Sequence, residues 1–197
     1  WQAPVFDDSA WASGRAQLGY GDGDEATFVG FGTNTSNRYI TTYFRRAFQV
    51  PDPTRIHRLT VRLLRDDGGA VYLNGVEVFR SNLPGGPLSY LTLATVQIFG
   101  SAESTFYETN ISPILLSGGA NILAAEIHQA ATNSSDLSFD LELRALMAAE
   151  PPSILAPPAG QIVPSGAAVA FTVGAAGTPE LSYQWFRNAL LLPGQTN

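Results

Sequence analysis

The sequence contains no cysteine and no lysine, and it has only two histidines among its 197 residues. Without cysteine, thiol catalysis, disulfide bonds and thiolate zinc sites are excluded. Two histidines are too few for a histidine-rich zinc centre and leave little scope for a Ser-His-Asp triad. All 11 basic residues are arginine, and 17 acidic residues give a net charge of −6, which repels a phosphate backbone. We therefore expect no nucleic-acid partner.

Long apolar runs are also missing, because no stretch of 18 apolar residues occurs. We therefore expect no membrane insertion. A hydrophobic content of 45% with only 14% charged residues is sufficient for a folded core. The first residues carry no signal-peptide pattern. The expectation of a secreted or cell-surface protein rests instead on low charge, 19 glycines and abundant threonine, serine and asparagine.

Apolar and polar residues alternate in several segments, as in half-buried β-strands. The clearest are "YITTYFRRAFQV" (39–50), "HRLTVRLLR" (57–65) and "DLSFDLELRAL" (136–146), and further strands are predicted at 91–99, 104–111 and 121–129. Seven to nine strands separated by turn signals predict an all-β fold, an antiparallel two-sheet sandwich.

The segment "RDDGGAVYLNGVEVFR" predicts two successive turns. Asn74-Gly75 is the strongest short hairpin signal, because both positions of a type I′ turn need positive φ. This hairpin pairs Leu73 with Val76 and places Val71, Leu73, Val76 and Val78 on one face. The preceding Asp-Asp-Gly-Gly (66–69) predicts another turn, in which aspartate side chains bond nearby amides.

The composition changes near residue 149. Residues 1–148 form the predicted sandwich, residues 149–158 a Pro/Ala-rich linker, and residues 159–197 a partial β segment. The last segment resembles strands B and C of a bacterial immunoglobulin-like domain, with Trp185 as the buried tryptophan, and covers about half of such a domain of ~100 residues. This partial segment would pack against the first domain, pair with another chain, or belong to a longer parent protein. We favour the last of these.

Four segments together resemble a module common in large secreted proteins of environmental bacteria. They are "FDDSAWASGRAQLGYGDGDE", "YITTYFRRAF", "LLRDDGGAVYLNGVEVFR" and "NILAAEIHQAATNSSDLSFDLEL". The resemblance covers roughly residues 5–145 and points to the galactose-binding-like jelly rolls, the fold of many carbohydrate-binding modules. It implies a jelly-roll sandwich whose sugar site lies in the loops at one end or on a sheet face. Several such jelly rolls carry a structural calcium ion.

The segment "GYGDGDEATF" suggests where a calcium ion would bind. Asp22 and Asp24 alternate along the backbone, and Glu25 follows, so hard oxygen ligands converge there. The resemblance adds an acid from the last strand, either Asp140 or Glu142. The spacing of an EF-hand is missing, and a solvated acidic turn is the alternative.

A sugar ligand requires an aromatic surface for stacking and polar groups for its hydroxyls. We select aromatic residues outside the core pattern and polar residues at strand ends and turns. The predicted ligand-binding set is Trp11, Tyr20, Asp66, Asp67, Arg80, Asn82, His128 and Asp136. The loop "SNLPGGPLSY" after Arg80 would form one wall. Packing of the aromatics in the core, and a turn role for the double aspartate, are the alternatives.

Catalytic motifs are absent from the sequence: it has no Gly-x-Ser-x-Gly, no His-Glu-x-x-His and no phosphate-binding glycine loop. Glu126 and His128 share a strand face, but we interpret them as a hydrogen-bonded pair. We therefore predict a non-enzymatic polysaccharide-binding module of a secreted or surface multidomain protein, joined to other domains of a longer chain. The alternative is a structural or adhesive module without sugar specificity.

Overall fold

A computed structural model describes residues 1–194 and residue 196. The chain divides into two compact units, residues 1–147 and residues 148–197. Both contain β-strands, and unit 1 also contains three short 3₁₀ turns, so the predicted all-β class is confirmed. No helix among the described residues has the length and apolar character needed to span a membrane.

Unit 1 is built from two sheets. Its strands are β1 (Leu18–Tyr20), β2 (Thr27–Phe28), β3 (Thr41–Val50), β4 (Ile56–Arg65), β5 (Gly68–Leu73), β6 (Val76–Ser81), β7 (Phe106–Ile111), β8 (Gly119–His128) and β9 (Leu137–Met147). The five-stranded sheet has the order β2-β1-β9-β4-β7, and the four-stranded sheet has the order β3-β8-β5-β6. All pairings are antiparallel except β1 with β2.

The core of unit 1 lies between the two sheets. From the five-stranded sheet come Leu59, Val61, Leu63, Leu137 and Phe139, and from the four-stranded sheet come Val71, Leu73, Ala125 and Ile127. The ring of Phe44 stacks on that of Phe139, with centroids 4.0 Å apart, and so joins β3 to β9 across the sandwich. The predicted alternation in β3, β4 and β9 is confirmed, because their apolar faces all contribute to this core.

The Asn74-Gly75 hairpin forms as predicted, but the strand after it does not keep the predicted register. Both turn residues have positive φ, and Leu73 pairs with Val76. A β-bulge then places Tyr72 opposite Glu77 and Val71 opposite Phe79. Val76 is 48% exposed, whereas Val78 and Phe79 both pack against the core.

The prediction of a strand over residues 91–99 is also wrong, since this stretch lies in a long loop between β6 and β7. Its backbone N–H groups do not form a ladder with a neighbouring strand. Ala94 donates to the Gln129 carbonyl, Val96 to the Asn82 side chain and Ile98 to the Asp67 carboxylate. Scattered polar groups, rather than a strand partner, satisfy this backbone.

The N-terminal segment covers the outer face of the four-stranded sheet. Trp1 packs against Tyr43 and Tyr72, with ring centroids 4.6 Å and 5.4 Å away. Arg45 projects from the same face and forms an ion pair with Asp8 at 2.8 Å. The aromatic side chains of this sheet face therefore pack within the protein and leave no open platform there.

Unit 2 contains two short hairpin-like pairs. β10 (Ser153–Ala156) pairs with β11 (Gly174–Ala176), and β12 (Phe186–Arg187) pairs with β13 (Leu190–Leu191). β10 lies within the segment predicted as a linker. Trp185 is only partly buried, and none of the described residues of unit 2 is fully buried. The immunoglobulin-like assignment stays a prediction.

Candidate functional site: an acidic corner under a long loop

Neighbouring strands of the five-stranded sheet bring acidic residues to the same end of that sheet. β1 and β4 end there, whereas β9 and β7 begin there, as the pairs Tyr20–Leu137 and Leu64–Phe106 show. An acidic residue lies within three positions of each of these strand ends: Asp22, Asp66 and Asp67, Asp136, and Glu103. We call these five residues the acidic corner.

Asp66 and Asp67 form the turn by which the chain crosses from one sheet to the other, and each is only 1% exposed. The two carboxylate oxygens of Asp67 accept hydrogen bonds from the Ile98 and Ala130 amides, at 2.8 and 2.7 Å. Asp66 donates its backbone N–H to the Ser138 carbonyl, but its Oδ2 atom has no hydrogen-bond partner. The residue types Asp-Asp-Gly-Gly predict this turn. Its burial has a different cause, since the chain passes from one sheet to the other at this point.

Ionisation of Asp66 is strongly disfavoured by its surroundings. Burial raises the pKa of Asp66 to about 9, and the neighbouring carboxylates of Asp67, Asp136 and Glu103 contribute to that rise. The pKa of Glu103 is also raised, first by burial and then by the charges of Asp136 and Asp22. Carboxyl groups thus crowd together in the corner, and the raised pKa values of Asp66 and Glu103 favour their neutral forms.

Gln129 reaches the corner from the four-stranded sheet, directly after the end of β8. Its side chain is completely buried, and its Nε2 donates to the Asp136 carbonyl at 2.6 Å and to the Tyr20 hydroxyl at 3.1 Å. The Oε1 atom of Gln129 has no hydrogen-bond partner, nor has the hydroxyl of buried Ser134. Asp66 and Gln129 thus each carry a buried oxygen atom without a hydrogen-bond partner.

Two arginines lie near the corner, but neither neutralises it. Arg38 lies over the Tyr20 ring and donates to the Ser135 carbonyl. Arg65 lies over the Tyr107 ring and donates to the Ser81 hydroxyl at 3.1 Å. In the part of the chain that the structure describes, no acid of the corner forms an ion pair with an arginine.

A loop of residues 82–105 runs over this end of the sandwich and is held at several points. Asn82 donates from its amide to the carbonyls of Asp67 and Val96, at 3.0 and 2.7 Å, and accepts from the Val96 N–H. Arg80 donates to the carbonyls of Pro84 and Gly86 and pairs with Glu77 at 2.6 Å. Arg80 and Asn82, both predicted ligand-binding residues, thus hold the shape of the loop.

The outer surface of this loop carries exposed aromatic rings. Tyr90 is 66% exposed and Phe99 is 69% exposed. Leu91, Leu93 and Val96 are exposed beside them in sequence. Tyr90 lies in the loop that the sequence predicts as one wall of the site, whereas Phe99 lies in the segment predicted as a strand and is not among the predicted ligand-binding residues. The break in polar–apolar alternation after Gln97 was the available signal.

The predicted ligand-binding residues fall into four groups, of which Arg80 and Asn82, which hold the loop, form one. Four of them are buried: Tyr20, Asp66, Asp67 and His128. Asp136 lies partly buried at the corner, together with Tyr20 and the two aspartates. Trp11 lies in the N-terminal segment, edge-on to Phe6 at 5.7 Å, and belongs to a different surface. The structure therefore unites all of the set except Trp11 around the corner and its loop.

The predicted calcium ligands are only partly assembled. Oxygens of Asp22, Asp24 and Glu25 lie within 4.8 Å of one another. However, the two oxygens of Glu25 accept the backbone N–H groups of Asp22 and Gly23, and Asp22 accepts from the Ser138 hydroxyl at 2.8 Å. Hydrogen bonds within the protein thus already involve several of the carboxylate oxygens that a calcium ion would need.

The two late-strand acids proposed for the same ion have other contacts. Glu142 lies 2.6 Å from both Arg62 and Arg144, and the hydrogen bond from Arg62 is the main cause of its lowered pKa. Asp140 accepts the N–H of Leu141 at 2.7 Å. Calcium bound by Asp22, Asp24 and Glu25 with either late acid stays a prediction.

Glu126 and His128 are both buried and lie close together, but the predicted hydrogen bond between them is not formed, because His128 Nε2 has no hydrogen-bond partner. His128 Nδ1 lies 2.6 Å from the Thr92 carbonyl, which can only accept, so Nδ1 carries a proton. His128 Nε2 lies 3.1 Å from Glu126, and Tyr72 donates its hydroxyl to Glu126 at 2.5 Å. Neither side chain contacts Asp136 in the described residues, and the pair ties β8 to the long loop.

An apolar cleft of about 510 Å³ opens at the opposite end of unit 1. Its walls include Phe48, Ile56, Leu59, Leu143 and Met147. Polar side chains also line the cleft, namely Arg46, Gln49, Asp52 and Arg55. We take the acidic corner with its loop as the candidate site, because most of the predicted ligand-binding residues lie there.

No family model matches the chain, and no curated protein sequence matches it. Among solved structures, the chain is similar to the α-L-rhamnosidase from Dictyoglumus thermophilum, with a TM-score of 0.36 and 16% sequence identity. The similarity covers 70% of this chain and 15% of the rhamnosidase chain, so the shared region is a small part of that enzyme. At this TM-score the likeness assigns no function.

Proposed function

We propose that unit 1 is a non-catalytic carbohydrate-binding module of a secreted or surface multidomain protein, and that the loop of residues 82–105 is its binding surface. The observation that carries this proposal is the display of Tyr90 and Phe99 on a loop that buried polar groups hold in place. Exposed rings offer faces on which the C–H groups of a sugar can stack.

The way in which the loop is held supports a binding role. Its backbone is fixed by Asp67, Asn82 and Gln129, so the rings are presented without a large ordering cost on binding. Loops on a rigid β scaffold are a common place for recognition residues. Partly buried Asp136 at the corner could provide a polar contact for sugar hydroxyls.

A non-enzymatic role agrees with the burial of the most reactive side chains. Glu126 and His128 are inaccessible and engaged with Tyr72 and Thr92. The neighbouring carboxyl groups of Asp66 and Asp67, which a glycosidase mechanism would need at a substrate, are each 1% exposed in one turn.

The test is a pull-down of the full chain with a panel of insoluble polysaccharides, followed by affinity measurements on any that bind. Tyr90→Ala and Phe99→Ala should each weaken binding by about tenfold, the effect of losing one stacking contact. Ile114→Ala is the matched control, because Ile114 is highly exposed but lies beyond the opposite end of β7. Trp11→Ala tests whether the N-terminal segment, rather than the loop, is the binding surface. Binding that survives both loop substitutions would refute this location.

A structural or adhesive role is the second candidate, and it is favoured by unit 2. Its described residues include no buried side chain, and Ile154, Leu155, Ile162 and Leu190 are strongly exposed. Large exposed apolar surfaces are typical of interaction sites. Concentration-dependent self-association of the full chain, without polysaccharide binding, would favour this role over the first.

A further inference from the structure

One edge of β9 has no strand partner over most of its length. β1 pairs with this edge only at residues 137–139, whereas β4 pairs with the opposite edge of β9 as far as Met147. In unit 1, all of whose residues the structure describes, no other strand lies beside residues 140–147 on the side of β1. A row of backbone N–H and C=O groups without strand partners is a template for the addition of another strand.

The backbone groups that point to this open edge belong to the odd-numbered residues of β9. Asp66, which directly follows β4, donates its N–H to the Ser138 carbonyl, so the even-numbered residues of β9 face β4. Leu141 donates its N–H to the carboxylate of Asp140 at 2.7 Å, as a backbone group without a strand partner can do. Leu143 and the odd-numbered residues after it therefore present their N–H and C=O groups to the open edge.

The side chains of the same odd-numbered residues are apolar and incompletely covered. Leu141, Leu143, Ala145 and Met147 line the apolar cleft of about 510 Å³. Met147 is 46% exposed and Ala145 is also exposed, although both lie on the face of β9 that forms the core nearer the start of the strand. A sheet edge with free backbone groups and a pocket for alternate side chains is typical of a site for strand addition.

The charges on the outer face of β9 favour a second copy of this chain as the added strand. A twofold axis through Leu143 would pair odd-numbered residues with odd-numbered residues in an antiparallel ladder, as their backbone groups require. Glu142 would then lie opposite Arg144 of the second copy, in a non-hydrogen-bonded pair where side chains approach most closely. Moving the axis by one residue in either direction would place two glutamates or two arginines opposite each other, which is unfavourable.

We propose that the open edge of β9 is an interface through which two copies of this chain form a symmetric dimer, with residues 140–146 paired antiparallel about Leu143. β1 occupies the edge as far as Phe139, so this register uses the whole stretch that is open to a partner strand. The pairing joins the two five-stranded sheets and covers the apolar side chains at the edge of the cleft. An interface this small is weak, with an expected dissociation constant on the order of 10 μM.

The experiment is sedimentation velocity of the full chain in EDTA, at concentrations below and above that value. EDTA excludes bridging by a metal ion, and no polysaccharide is added, so this inference and the proposed function can fail separately. The parent chain should change from monomer to dimer as its concentration rises. Glu142→Arg and Arg144→Glu each place like charges opposite each other, and each should weaken dimerisation by at least about tenfold.

A mixture of the two variants tests the register directly. One variant carries arginine at both positions and the other carries glutamate at both, so every cross-strand pair in a mixed dimer is again opposite in charge. The equimolar mixture should therefore dimerise about as well as the parent chain, which a loss of folding in either variant could not produce. Glu108→Arg is the matched control, because Glu108 also pairs with Arg62 but lies on β7 at the far edge of the sheet, and it should leave dimerisation unchanged.

Other results would overturn the proposal. A parent chain that stays monomeric far above the expected dissociation constant has no such interface. Dimerisation that survives both charge reversals, or that the mixture does not restore, would exclude this pairing of β9. Ile162→Ser tests unit 2, where Ile162 is fully exposed. Loss of self-association in Ile162→Ser with retention in Glu142→Arg would assign the contact to unit 2 instead.

Discussion

Replacing Asp66 by asparagine should stabilise the metal-free protein at neutral pH. Asp66 is buried, has an unpaired Oδ2 and has a pKa raised to about 9 from an ordinary value of 3.8. At pH 7 the folded protein therefore holds this side chain as a neutral acid, whereas the unfolded chain holds it ionised. Asparagine has a similar shape and needs no proton.

The size of the effect follows from linkage. The folded state binds one proton more than the unfolded state between pH 4 and pH 9, so the free energy of unfolding falls by ~1.4 kcal/mol for each pH unit in that range. The stabilising contribution of the proton is complete below an ordinary carboxyl pKa and is lost as the pH approaches 9. Asp66→Asn lacks this term, so it should be more stable than the parent by about 4 kcal/mol at pH 7 and by little at pH 4.

The assay is urea unfolding in EDTA at pH 4, 5, 6, 7 and 8, followed by tryptophan fluorescence and circular dichroism. Asp24→Asn is the control, since it removes an exposed carboxylate of the same type. If the parent and Asp66→Asn show the same pH dependence, Asp66 is ionised in the folded protein and the reasoning is wrong. A loss of stability in Asp66→Asn that is independent of pH would contradict it equally.

Two further predictions test the loop and the core. Asn82→Ala removes one hydrogen bond to the Asp67 carbonyl and two to the backbone of Val96. It should speed amide hydrogen exchange at Val96 and Ile98 at least tenfold, while exchange in β8 stays unchanged. Unchanged exchange at Val96 would contradict the anchoring role. Leu63→Ala removes a fully buried core side chain and should lower the free energy of unfolding in urea by about 2–5 kcal/mol. Glu142→Gln only weakens surface ion pairs and should lower it by less than ~1 kcal/mol. Similar losses of stability in both variants would contradict the assigned core.

Some features of the site were predictable in part. The sequence marked Asp66, Asp67, Arg80, Asn82 and Asp136 as polar groups near turns, and the structure places them around one end of the sandwich. Their roles were not predictable. An aspartate in a turn is exposed to water or buried depending on which part of the chain covers that turn. Here the covering segment is a loop that begins in the other sheet.

The exposure of Phe99 likewise could not be predicted from the sequence pattern around it. Residues 91–99 alternate well enough to suggest a strand, but a strand also needs a neighbour with free backbone groups. Here residues 91–99 pair with neither of the flanking edge strands, β6 and β7, and the loop instead forms hydrogen bonds with Asn82, Asp67 and Gln129. Phe99 therefore faces outward instead of packing in the core.

The sequence by itself determined the β character, the inward faces of β3, β4 and β9, and the Asn74-Gly75 turn, because side-chain alternation and positive φ are local properties of the chain. Only the tertiary structure decided strand order, and with it the meeting of Asp22, Asp66, Asp67, Glu103 and Asp136 at one end of a sheet. Pairing between strands far apart in the chain is a choice among many partners, and no residue pattern within one strand specifies which of them is adjacent.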